Sequence, residues 1–131
     1  MRILGIDYGT KNIGIALGVG DIVTPLCVIE TRANHILEED AIKKIIKLAD
    51  EEHVDIIAIG LPLVGGKETN VSKEIRRFVG LLPRHLVLKF VDESMSSKVS
   101  VANAIGGGVS KKRRRTDHAL SACEIIRRLA L

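Results

Sequence analysis

The chain has 131 residues, 46% of them hydrophobic and 27% charged, with two cysteines and no tryptophan. That length and apolar content suit one domain over residues 1–131 with a core of its own, and no apolar run approaches the roughly 20 residues that span a bilayer, so a cytoplasmic protein with no membrane partner is expected. The net charge of +4 is uneven: residues 1–60 carry six Lys/Arg against ten Asp/Glu, and residues 61–131 carry fourteen against six, which suggests a polyanion-facing second half.

With one Tyr and two Phe, the chain cannot build the aromatic platform on which readers of single-stranded bases depend, so any nucleic acid would be held by its backbone charge and shape. Cys27 and Cys123 lie among apolar neighbours with no metal-ligand spacing, and both read as buried, reduced thiols.

In chain order, Ile3-Leu4-Gly5-Ile6-Asp7 and Ile13-Gly14-Ile15-Ala16-Leu17 are apolar runs around the polar turn Tyr8-Gly9-Thr10-Lys11-Asn12, a β-hairpin pattern. Leu26 to Thr31 follows as a third strand after the turn signals Gly18, Gly20, Asp21 and Pro25, giving an antiparallel meander. Asn34 is placed to cap a first helix reaching Glu52, with Ile42, Ile45, Ile46 and Ala49 at helical spacing and acids in its first turns. His35 and His53 at its ends have no partner at ligand spacing and read as surface residues.

Val54 to Gly60 is almost continuously apolar, as in a parallel strand buried on both faces. Gly65-Gly66-Lys67-Glu68 then leads into a second helix, with Val71, Ile75, Phe78, Val79 and Leu82 on an apolar stripe, Lys73, Arg76 and Arg77 on a basic one, and Pro83 as its stop. Leu86 to Asp92 is a further strand, and Ser96 or Ser97 is placed to cap a weak third helix over residues 98–105. Gly106 to Arg115, with three glycines and five consecutive basic residues, reads as a mobile basic loop. Thr116 would then cap a last helix running from Asp117 to about Ala130.

A meander followed by βαβ units gives a mixed sheet with helices on its faces. Ligands of open α/β sheets sit beyond the carboxyl ends of the parallel strands, and those ends carry Asp7, Gly60 and Asp92-Glu93. Asp117 joins them if the last helix starts at the same edge. Singly these are an ordinary turn aspartate, a surface acid and a helix-start acid; together they are hard oxygen donors of the kind a divalent metal takes.

Gly5-Ile6-Asp7-Tyr8-Gly9-Thr10-Lys11, Gly60-Leu61-Pro62-Leu63, Asp92-Glu93 and Thr116-Asp117-His118-Ala119-Leu120-Ser121-Ala122 resemble, in order and spacing, the motifs of the YqgF family. These are bacterial ribonuclease-H-like proteins associated with Holliday junction resolution and with pre-16S ribosomal RNA processing. The resemblance covers nearly the whole chain. It implies a ribonuclease-H-like α/β fold, a mixed five-stranded sheet of an antiparallel meander plus parallel strands with helices on both faces. It also implies that Asp7, Glu93 and Asp117 are the catalytic acids and metal ligands for Mg²⁺ or Mn²⁺, choosing Glu93 over Asp92 where spacing does not.

Two positions depart from that pattern. Ser94 stands where the family usually has arginine, and Gly65-Gly66 where it often has Asp-Gly; a serine hydroxyl does not replace a guanidinium fork on a phosphate. Gly9, Thr10 and Lys11 in the hairpin turn, Lys67, and Lys111, Lys112, Arg113, Arg114 and Arg115 are the expected substrate-binding residues. Glu124 is expected to pair with Arg128 at i,i+4, and His118 reads as a solvated imidazole.

Two divalent ions about 4 Å apart activate water, neutralise the pentacovalent charge and stabilise the leaving oxygen of a phosphodiester. The expected activity is therefore a metal-dependent nuclease on structured RNA or branched DNA, acting as a monomer or homodimer. Two alternatives remain open: a catalytically weakened nucleic-acid-binding module of the same fold, and a nucleotide-phosphate-binding domain, which the Asp-x-Gly-Thr hairpin also resembles.

Overall fold

The computed structural model describes residues 1–9, 11–30, 35–93 and 111–130. Three consecutive strands, β1 (Arg2–Tyr8), β2 (Asn12–Val19) and β3 (Ile22–Glu30), are followed by α1 (His35–Glu51), β4 (Ile56–Leu61), α2 (Asn70–Val79), β5 (Val87–Asp92) and α3 (Lys111–Ala130). The sheet order is β3-β2-β1-β4-β5, with β1, β2 and β3 antiparallel and β4 and β5 parallel to β1. This is the meander plus parallel pair read from the sequence. Thr10, the Asn34 cap and the helix expected over residues 98–105 lie outside the described residues.

Strand periodicity splits the sheet into two unlike faces. Leu4 and Ile6 of β1, Ile13 and Ile15 of β2, and Ile57, Ile59 and Leu61 of β4 pack against Ala41, Ile42 and Ile45 of α1 and Ile75, Phe78 and Val79 of α2. The opposite face is built from small residues. Ala16 and Ala58 meet Ala122, Cys123, Ile125 and Ile126 of α3, and glycines alternate with them. A Cβ on Gly5 would lie 2.5 Å from the Ala122 carbonyl oxygen, and one on Gly14 would overlap the His118 carbonyl. The helix backbone therefore rests directly on the strands, which fixes where along the sheet Asp117 and His118 fall.

Four sequence expectations change. Strand β3 begins at Ile22, four residues before Leu26, and takes in Pro25, which pairs with Ala16 on this edge strand instead of marking a turn. The basic run is not a loop. Residues 111–115 form the first turns of α3, which starts six residues before Asp117; Lys and Arg are good helix formers, and packing further along α3 outweighs their unfavourable position near the positive end of the helix dipole. Strand β4 begins at Ile56 rather than Val54, because the Val54 N–H closes α1 on the Ala49 carbonyl while Asp55 pairs with the Arg2 backbone. Cys27 is exposed, since β3 is an edge strand; Cys123 is buried, and both thiols are free.

Candidate active site

Asp7 closes β1 and Glu93 follows β5, one strand apart on the flanks of β4. The Glu93 N–H donates to the Leu61 carbonyl at 2.9 Å, which extends the β4–β5 ladder by one residue and ties Glu93 to the end of β4. Its carboxyl lies over Gly60, where a Cβ would come within 2.6 Å of both the carboxyl carbon and Oε2. Any side chain at position 60 would displace it. Burial, reinforced by the negative charge of Asp7, pushes the Glu93 carboxyl up to about 7, while Arg128 opposes the shift and Glu124 adds to it. The Asp7 charge thus reaches Glu93 and disfavours its ionisation.

His118 is the residue whose role the sequence reading missed. Its Nδ1 lies 3.2 Å from Asp7 Oδ2, with side-chain exposures of 33% and 20%, and a Cβ on Gly9 would sit 3.3 Å from its Cε1. The hydrogen bond to Asp7 raises the imidazole pKa; desolvation opposes this, and the charges of Asp7 and Asp117 add to it. In the sequence His118 stands inside the Thr116 to Ala122 motif, but the motif does not say which of its side chains faces Asp7.

Consecutive helix residues point about 100° apart. With His118 turned to Asp7, the exposed Asp117 lies on the neighbouring flank, the one that Arg128, eleven residues on, uses to donate to the Asp92 carbonyl at 3.4 Å. No group of three or more His, Cys, Asp or Glu side chains at metal-binding distance occurs among the described residues. Glu124 pairs with Arg127 at 3.6 Å, in place of the i,i+4 partner expected for it. Arg128 instead puts a guanidinium on the Asp92-Glu93 turn from α3, in a chain where position 94 is serine.

Of the expected substrate residues, Gly9 borders His118 and Lys11 is exposed in the hairpin turn. Lys67 is exposed and closes a two-residue turn on Val64, with reciprocal backbone bonds of 3.1 and 2.9 Å. Gly65 and Gly66 have φ of 58° and 77°, the type I′ pattern that Asp-Gly also adopts, so this departure from the family leaves the loop geometry intact. Thr69 pins the loop by donating to the Pro62 carbonyl and capping α2. The side chains of residues 111–116 lie outside the described set. Two of the three cations in the basic stripe of α2 are paired: Arg76 with Glu68 at 2.7 Å, and Arg77 with Glu38 of α1 and with Glu74.

The donor set fits a hard divalent cation. Two carboxylates share an edge, one of them seated in a cradle that a Cβ would fill, and mutual repulsion raises the affinity of the pair for positive charge.

The family whose model describes "RuvX: Holliday junction resolvase" matches residues 1–129. A Campylobacter jejuni protein named "Putative pre-16S rRNA nuclease" is 34% identical over 116 residues, covering 88% of this chain and 85% of that protein. A Chlorobaculum tepidum protein of the same name is 32% identical over 134 residues, covering 95% and 89%. Among solved structures, Thermus thermophilus RuvC in complex with a Holliday junction substrate shares the fold, with a TM-score of 0.59 and 12% identity over 95% of this chain and 90% of that one. By its motifs, its ribonuclease-H-like sheet and a family match over nearly its whole length, the chain belongs to the RuvX (YqgF) family of Holliday junction resolvases.

Proposed function

We propose that this protein is a metal-dependent nuclease that hydrolyses phosphodiester bonds in structured nucleic acid, in 5′ processing of pre-16S ribosomal RNA, Holliday junction resolution or both. The observation that carries the reading is the placement of Asp7 and Glu93 at the carboxyl edge of the two strands that flank β4, with the Glu93 carboxyl seated over Gly60. Asp7, Glu93 and Asp117 are the proposed ligands for Mg²⁺ or Mn²⁺, which when bound would supply charge neutralisation and an activated water. Asp7 and Glu93 hold the negative charge that attracts the cation. Lys11 and Lys67 stand exposed at the same sheet edge to meet a substrate phosphate.

The test incubates the purified chain and its Asp7→Asn variant with Mg²⁺ or Mn²⁺ and two labelled substrates, a ribosomal RNA precursor and a four-way DNA junction. Cleavage of either by the wild type, with nearly complete loss in Asp7→Asn at an unchanged fold, is expected; the substrate cut identifies the physiological class. Equal cleavage by both proteins refutes the site. Binding without cleavage by the wild type would favour the catalytically weakened module.

A further inference from the structure

We propose that His118 is a positioning residue, which holds Asp7 so that one carboxylate oxygen is fixed by the imidazole and the other is left for the metal. The inference rests on the metal-site reading of Asp7. An ionised carboxylate can only accept hydrogen bonds, so Nδ1 must carry the hydrogen and donate to Oδ2 across the 3.2 Å contact. Oδ1 is then the oxygen presented to a cation.

The imidazole is itself held in place. The backbone at residue 118 is set down on Gly14, where no Cβ can fit, and the ring lies against Gly9. Its position is therefore determined by β2 and the hairpin turn rather than by Asp7 alone. A ligand carboxylate held by a fixed donor loses less freedom on taking up metal, and loss of such a supporting partner typically weakens metal binding 10–100-fold. The Asp7 backbone is paired with Gly14 in the β1–β2 ladder, and among the described residues its carboxylate is hydrogen-bonded to His118. This role separates His118 from Asp117: lying about 100° further round the helix, Asp117 is left to serve as a ligand while His118 supports Asp7.

The experiment measures Mn²⁺ binding by calorimetry, and the bound ion by pulsed electron paramagnetic resonance, in the wild type and in His118→Asn, His118→Gln, His118→Leu and Asp7→Asn. Asparagine can place an amide N–H near the Nδ1 position, whereas glutamine carries its amide one bond too far and leucine has no donor. His118→Asn should bind Mn²⁺ within about threefold of wild type, and His118→Gln and His118→Leu at least about tenfold more weakly. The wild-type spectrum should lack coupling to a directly coordinated imidazole nitrogen. If His118→Leu does not fold, the Asn/Gln comparison carries the test. Equal binding by Asn and Gln variants, or a coordinated imidazole nitrogen, overturns the proposal. Unchanged Mn²⁺ binding by Asp7→Asn refutes instead the metal reading on which it rests.

Discussion

The Glu93 carboxyl should act as a pH-dependent brake on folding when no metal is present. Its pKa rises from 4.5 to about 7 because it is buried beside Asp7. Below about pH 4.5 the group is neutral in both folded and unfolded chains and costs nothing. Between 4.5 and 7 the unfolded chain releases the proton while the folded one keeps it, so folded-state stability falls by about 1.4 kcal/mol per pH unit. Above 7 the loss levels off at roughly 3 kcal/mol, or about 10 °C in Tm for a chain of this size. Glu93→Gln removes the titration.

Urea unfolding of wild type and Glu93→Gln in EDTA, at pH 4.5, 6 and 8, should therefore show a stability difference that grows with pH in favour of the variant. Contributions from titrating groups that do not feel Glu93 are shared and cancel in the difference, and any fixed packing effect of glutamine shifts all three points equally. A pH-independent difference, or one that shrinks as pH rises, would refute the burial and charge argument for Glu93.

Gly14→Ala should cost about 3 kcal/mol or prevent α3 from docking, because its Cβ would overlap the His118 carbonyl; a thermal melt within about 2 °C of wild type would contradict this. Gly65→Asp, by contrast, should leave the melt nearly unchanged, since aspartate tolerates the first position of a type I′ turn. Replacing Lys112, Arg113 and Arg114 together by alanine should weaken binding to duplex or branched nucleic acid at least about tenfold at low salt and flatten the slope of log affinity against log salt by about two to three. Alanine preserves the helix that these residues begin, so the melting temperature should hold; an unchanged salt slope would remove the run from the substrate path.

The meander, the buried strand at β4, the amphipathic α2 and the placement of Asp7 and Glu93 at strand ends were legible in the sequence, because each rests on a local period or a turn residue that the chain carries within a few positions. The start of α3 was not: Lys111 to Arg115 has the composition of a solvated loop, and the packing that makes it helical comes from Ala122, Cys123, Ile125 and Ile126 against strands far earlier in the chain. Cys27 read as buried from its apolar neighbours, but β3 has a partner on one side only, and sheet order is a property of the whole chain.

At the site the division is similar. Sequence supplied the acids and their family positions; it could not say that Gly60 makes the space Glu93 occupies, that Arg128 reaches the Asp92 carbonyl, or that His118 rather than Asp117 turns to Asp7. Residue type and spacing determine which chemistry a chain can carry. Which of two adjacent helix residues faces an acid is decided by the rotation of α3 about its axis, and that rotation is set by where its backbone comes to rest on Gly5 and Gly14.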